Sequence, residues 1–297
     1  MSPSFRTRRY LLQAIPALAL GLRGMAVAGQ AMSDNEQQLA AIERGIGGRL
    51  GVAAMDTGTG RRLAHRGDEL FAICSTFKLL LAACILKKVN AGSEDLKRSI
   101  RYTEKDLLEY APVTRDHVKQ GTMTVGDLCA AAIELSDNAA ANLLLAQIGG
   151  PAGLTQFIRS LGNQITRLDR TETDLNTALP GDPRDTTSPM AMAESAAKLL
   201  TGEVLSVASR NQLVNWLEKS TTGARRLRAG IPAGWRAGDK TGTGERGAIG
   251  DVGIFWPPNK PPIVIAAYVM EGNANRDERE QAIAAAGGVI ARIFSGY

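Results

Sequence analysis

Residues 72–86 read Ala-Ile-Cys-Ser-Thr-Phe-Lys-Leu-Leu-Leu-Ala-Ala-Cys-Ile-Leu, an apolar run with a hydroxyl at Ser75 and an amine at Lys78 near its start. The run predicts a buried helix over Ala72–Leu86. Positions three apart share a helical face, so Ser75 and Lys78 can touch. Ser75 then sits near the helix N-terminus, where unpaired N–H groups and the dipole favour a developing negative charge. A serine hydroxyl is a poor nucleophile until a base activates it, and a partly buried lysine can lose its proton and serve. Taken alone, S-x-x-K is common, and a capping serine followed by a surface lysine is the simpler reading. Other segments decide between the two.

On the N-terminal side, Ser33–Ile46 carries apolar Leu39, Ile42 and Ile46 at helical spacing. Leu50–Met55 is an apolar strand, Asp56–Gly60 a turn and Arg61–His65 a returning strand. On the C-terminal side, residues from about 100 to 220 are helical in pattern. Thr122–Asp127 offers a capped start to a helix ending at Leu135, and Ser136-Asp137-Asn138 opens another through Ile148. Ser188-Pro189 supplies a cap and first residue for a Met190–Leu200 helix, and Val204–Leu217 gives one more. After Gly230 the period changes to that of strands at Trp235–Thr243, Asp251–Trp256 and Ile263–Met270, and Arg276–Phe294 closes as a helix. The expected fold class is α/β: an antiparallel five-stranded sheet flanked by helices, plus an inserted all-helical domain, with the active site in the cleft between them. The α/β part is expected at about 29–71 and 221–297 and the helical part at about 72–220.

Composition narrows the function classes. The 297 residues are 44% hydrophobic and 22% charged, enough for a large core or two subdomains. The net charge of +5 is concentrated at the start of the chain. Without Arg6, Arg8, Arg9 and Arg23 the basic count falls from 35 to 31 against 30 acids, which removes the electrostatic case for nucleic acid. Thr7-Arg8-Arg9-Tyr10-Leu11-Leu12 resembles a twin-arginine export signal. A short apolar stretch and Ala26-Val27-Ala28 follow it. The expectation is a signal peptide over 1–28, engagement of the twin-arginine export machinery, and a periplasmic mature protein without a stable membrane anchor. Three cysteines, Cys74, Cys84 and Cys129, make no disulfide framework, and a Cys84–Cys129 bridge stays open. His65 and His117 are too few and too far apart for a metal cluster or a Ser-His-Asp triad, so neither metal nor cofactor is expected.

Three further segments carry catalytic residue types. Ser136-Asp137-Asn138 places a hydroxyl and a carboxamide at a loop-to-helix junction. Lys240-Thr241-Gly242-Thr243 gives a cation and two hydroxyls beside a glycine on an edge-like strand. Glu172 and Asn176, in the polar loop Arg170–Asp185, can hold a water between a carboxylate and an amide. Each has an ordinary reading alone, but together and in this order they are specific.

The whole pattern from about Ser33 onward resembles the class A serine β-lactamases. Tyr110-Ala-Pro-Val-Thr114, Ser136 to Leu145 and Gly238 to Gly242 reinforce the likeness. The resemblance implies hydrolysis of penicillins and cephalosporins through an acyl-enzyme on Ser75, and a monomer is the default expectation. Lys78 and Ser136 would relay protons. Glu172 with Asn176 would activate the hydrolytic water, and the acylation base stays open between Lys78 and Glu172. Asn138 would hold the acylamide, Tyr110 would form an apolar wall, and Lys240, Thr241, Gly242 and Thr243 would receive the substrate carboxylate. The Ser75 and Thr243 N–H groups would form the oxyanion hole, and Arg170 and Asp185 would clasp the loop.

Some positions depart from the family pattern. Ile249 stands where many members carry an arginine, and Arg226 is expected to supply that charge. Gly244 stands opposite Cys74 and Ala82 opposite Cys129, so neither family disulfide is expected. Thr173 replaces the proline that often follows the base, which leaves the Glu172–Thr173 bond geometry open. The rival readings are a penicillin-binding DD-peptidase and an acylated β-lactam sensor. Glu172 with Asn176 argues against the first, and the lack of an effector segment argues against the second.

Overall fold

The computed structural model describes Met1 and residues 34–295, so the export-signal expectations fall outside the described residues. The strand Ile263–Met270 shows how the core is built. Every residue in it is buried, and alternate side chains enter two different cores. Ile263, Ile265, Ala267 and Val269 face the core shared with helices Asp34–Ile46 and Arg276–Ser295. Val264, Ala266, Tyr268 and Met270 face the larger core shared with the helical part. A strand covered on both faces needs no polar alternation, which explains the unbroken apolar run.

The sheet is antiparallel, in the order Arg62–His65, Arg49–Asp56, Ile263–Met270, Ile249–Trp256, Arg236–Thr243. It is α/β with a helical insertion, as the resemblance implied. The insertion is not purely helical: Ser99–Arg101 pairs with Thr122–Thr124, and Phe71–Ala72 pairs with Thr186–Thr187. The latter ladder ties the entry to the Ser75 turn to the exit of the Arg170–Asp185 loop. Helix Pro189–Leu200 lies within the helical stretch of sequence yet packs against strands Arg49–Asp56 and Ile263–Met270.

The helix Phe77–Asn90 is buried all round its first ten residues, as a helix at the centre of a bundle should be. Leu79, Leu80, Leu81, Ile85 and Leu86 are each fully buried, worth about 1.5–3 kcal/mol apiece. The expected helix Ala72–Leu86 therefore starts later and runs further. Ala72 is in a strand, Cys74–Thr76 form a 3₁₀ turn, and the α-helix begins at Phe77. Cys74 has φ +42°, a left-handed conformation that no helix can propagate.

Other boundaries shift for local reasons. Within the expected capped start Thr122–Asp127, Thr124 is the cap of the helix Val125–Glu134, its Oγ1 accepting from Asp127 N at 3.1 Å. Ser136 has φ +60°, so Asp137 is the cap of Asn138–Ala146, accepting from Ala140 N at 2.9 Å. Ser206 caps Val207–Glu218, three residues beyond the expected start at Val204. A helix over Gly150–Ser160, with Pro151 in its first turn, was absent from the sequence reading.

Candidate active site

The site forms where three backbones converge. The 3₁₀ turn Cys74–Thr76 presents Ser75, and the edge strand Arg236–Thr243 runs beside it. That approach needs glycine: a Cβ on Gly242 would lie 3.0 Å from Cys74 Cβ and 3.1 Å from Thr76 Cγ2. The Arg170–Asp185 loop closes the third side, joined to the strand end by Glu245 N donating to Asn176 O at 2.8 Å.

Lys78 is the hub. Its Nζ donates to Ser75 Oγ at 3.0 Å, Ser136 O at 2.9 Å, Ser136 Oγ at 3.4 Å and Asn138 Oδ1 at 2.6 Å. It also lies 2.9 Å from Glu172 Oε1, and both side chains have zero exposure. Burial lowers the lysine's proton affinity, and the Glu172 charge opposes that. Ser75 Oγ in turn donates to Glu172 Oε1 at 3.1 Å, and Asn176 Nδ2 donates to Glu172 Oε2 at 2.6 Å. Lys240 Nζ donates to Ser136 Oγ at 2.9 Å and Thr241 O at 2.7 Å. Its proton affinity falls well below that of a free lysine, first through burial and then through the Lys78 charge.

The clasp is also closed. Asp185 Oδ2 accepts from Arg170 Nε at 2.6 Å, while Oδ1 accepts from the Asp169 and Arg170 backbone N–H groups at 2.7 and 3.0 Å. Ile73 N donates to Asp185 O at 2.9 Å, coupling the clasp to the Ser75 turn. The Glu172–Thr173 bond is cis, which answers the question that Thr173 left open.

Ser75, Tyr110, Ser136, Asn138, Asn176, Thr222, Arg226, Thr241, Thr243 and Arg276 line a cleft of about 320 Å³. Tyr110 is half exposed on its wall. Arg226 is buried: Nη1 donates to the carbonyls of Gly242 and Gly250 at 2.7 and 2.8 Å, and Nη2 donates to Thr243 Oγ1 at 2.8 Å. All fourteen residues expected at the site are therefore in the cleft, beneath it or in the loop clasp.

The comparisons with known proteins decide the family. Residues 34–294 match the profile of the β-lactamase enzyme family. β-Lactamase CTX-M-8 of Citrobacter amalonaticus is 42% identical over 285 residues, 96% of this chain and 97% of the relative. β-Lactamase Toho-1 of Escherichia coli is 43% identical over 287 residues, 97% of this chain and 98% of the relative. The chain belongs to the class A serine β-lactamases. Among solved structures, the class A β-lactamase of the last common ancestor of Gram-negative bacteria is 56% identical, with TM-score 0.87, covering 88% of this chain and 100% of that one. This β-lactamase is accordingly a serine hydrolase of the β-lactam amide bond.

Several residues that build the β-lactamase site were not singled out from sequence. Asn142 holds Glu172 by its backbone, Nδ2 donating to Glu172 O at 2.9 Å and Oδ1 accepting from Glu172 N at 3.0 Å. It lies four residues after Asn138, one turn along the same helix face, which was the available signal. Asp137 is fully buried and accepts from the Val113 and Thr114 N–H groups at 2.9 Å, fixing the Tyr110 segment. Thr222 Oγ1 lies 2.7 Å from Thr241 Oγ1. All three cysteines are reduced and buried, so the open Cys84–Cys129 bridge is not formed. Cys74 faces Gly244 instead, where a Cβ would meet its Sγ at 2.7 Å. His65 pairs with Glu43 at 2.7 Å and His117 Nδ1 lies 2.9 Å from Val113 O, both outside the cleft.

Proposed function

We propose that Ser75 is the nucleophile and Glu172 the base of a two-step hydrolysis of penicillins and cephalosporins. The observation that carries this is the single carboxylate oxygen, Glu172 Oε1, within reach of both Ser75 Oγ and Lys78 Nζ. Lys78 is surrounded by acceptors, as an ammonium is, so the Ser75 proton passes to Glu172 as Oγ attacks the lactam carbonyl. The Ser75 and Thr243 N–H groups stabilise the oxyanion. The C–N bond then breaks. Lys78 passes a proton to Ser136 Oγ, which protonates the departing nitrogen, and the Glu172 proton restores Lys78. The ionised Glu172, oriented by Asn176, next takes a proton from water as it attacks the ester, and Ser75 leaves with a proton.

Lys240, Thr241, Gly242, Thr243 and Arg226 receive the substrate carboxylate. Asn138 holds the acylamide and Tyr110 its apolar part. Thr243 lines the cleft, which takes cephalosporins as well as penicillins. The mature enzyme is a periplasmic monomer, exported by the twin-arginine route and cut near Ala28, with residues 29–297 as the catalytic unit.

The test is hydrolysis of a chromogenic cephalosporin by the mature chain and by Glu172→Ala, with intact mass followed during the reaction. The parent is expected to turn over rapidly, and the variant to acylate more slowly and then hold the adduct on Ser75. A parent that itself stays acylated would overturn the reading in favour of a penicillin-binding protein or sensor.

A further inference from the structure

The carboxylate end of the cleft carries more positive charge than one carboxylate needs. Glu280 Oε1 lies 3.2 Å from both Arg226 Nη2 and Arg276 Nε, and Oε2 lies 3.3 Å from Arg225 Nε. Three guanidinium groups therefore share one anion, with Asp277 against Arg225 at 2.7 Å. Arg226 is locked into the strand carbonyls. Arg276 differs: it lines the cleft, its side chain is 71% exposed, and among the described residues its bond to Glu280 uses Nε alone. That leaves the rest of the guanidinium fork for a ligand.

Helix stability does not explain this residue. Arg276 opens the helix Arg276–Ser295, where the dipole disfavours a cation, and it stands N-terminal to its i+4 glutamate, the weaker orientation of such a pair. A position whose local energetics favour an acid holds an arginine facing the substrate cleft.

We infer that Arg276 is a specificity-determining residue that favours cephalosporins bearing a second anionic group on the C3 substituent. This rests on the proposed placement of the ring carboxylate against Lys240, Thr241 and Thr243. With that anion occupied deeper in the cleft, the outer guanidinium meets whatever projects beyond the ring. A charge on so exposed a side chain is screened by salt, so its contribution is modest.

The experiment compares two cephalosporins of identical acylamide, one with a neutral and one with a carboxylate-bearing C3 group. They are assayed on the parent, Arg276→Ala and Arg276→Lys, at low and high salt. In the parent, the preference for the anionic substrate is expected to weaken as salt rises. In Arg276→Ala it falls by about two- to fivefold, through KM rather than kcat, and Arg276→Lys retains most of it. An unchanged ratio in Arg276→Ala would overturn the inference. So would an equal loss in Arg276→Lys, which keeps the charge, since charge would then not be what selects the substrate. If the parent acylated without turning over, the hydrolytic reading would fail, while the second-order acylation constants would still report the preference.

Discussion

Replacing Asp185 with Asn tests whether the loop clasp governs deacylation. Asp185 is buried, and Arg170 is only 20% exposed, so the pair is poorly screened. In the variant one amide oxygen can still accept from the Asp169 and Arg170 N–H groups, but the Nδ2 donor then faces the Arg170 Nε donor. The loss is that of a broken, largely buried ion pair, about 3 kcal/mol. Because each 1.4 kcal/mol is tenfold, the loop's open population rises by on the order of 100-fold where opening is local. Ser75, Lys78 and Ser136 are held by the 3₁₀ turn and the helical part, whereas Glu172 and Asn176 lie in the loop. Glu172 is the proposed base of both steps, so acylation and deacylation should both slow, deacylation the more because Glu172 and Asn176 also orient its water. Stopped-flow mass analysis would show acyl-enzyme accumulating, and hydrogen exchange would show faster exchange at amides 170–185. If deacylation and loop exchange both match the parent, the clasp does not hold the base. A fall in melting temperature without faster loop exchange would equally refute local control.

Three other outcomes follow from charge burial. Asp251 is pushed well above the usual carboxylate range by burial and by the Asp239 charge, and the proton it keeps serves the side-chain hydrogen bond between the two carboxyl groups. The folded state thus keeps a proton that the unfolded chain releases, so this contribution to stability falls as pH rises above the ordinary value of 3.8. Asp251→Asn, which can still accept from Leu227 N–H and can donate to Asp239, should flatten that slope and gain about 1 kcal/mol at pH 8 in urea unfolding. Glu43 shows the reverse sign. Burial pushes it up, but hydrogen bonds from Arg66 and His65 prevail and bring it to about 2. The stability that it adds is present above about 4.5 and is lost as pH falls towards 2, so the melting-temperature gap between parent and Glu43→Gln should close over that window. Finally, the lowered proton affinity of Lys240 means that it loses its charge at lower pH than a free lysine. The alkaline limb of kcat/KM should therefore begin below the usual lysine range, and Lys240→Arg should displace it upward.

Most of the fold and the site could be read from the chain, for reasons that can be named. Ile263–Met270 and the Phe77–Leu86 run are apolar because they are enclosed, and enclosure leaves a signal in composition. Ser75 to Lys78 span a 3₁₀ turn and a helix start, and Lys240 to Thr243 end an edge strand. Each is ordinary alone, and their order along the chain, through the resemblance to the family, brings out their chemistry. The missed features depend on long-range geometry. Asn142 lies one turn beyond Asn138, which marks its helix face but not the backbone thirty residues away that it meets, and no local signal gives Ser136 its φ of +60°. The shift of the helix start from Ala72 to Phe77 has the same origin. Cys74 holds a left-handed conformation because the strand at Gly242, the Asp185 carbonyl and the loop constrain it together, and propensity cannot express three distant partners.

That convergence also accounts for the electrostatics of the site. Lys78 and Lys240 are both fully buried beside the cleft, and the Lys78 charge lowers the proton affinity of Lys240 while Asp239 and Glu172 oppose that. The proximity of two buried cations destabilises the empty protein, since burial disfavours the charged form of each lysine. A substrate carboxylate relieves that repulsion and favours the protonated form of Lys240, whose Nζ then donates more firmly to Ser136 Oγ. In the proposed mechanism, binding one end of the substrate thereby prepares the Ser136 hydroxyl to protonate the other, and the binding energy of the carboxylate enters the chemical step.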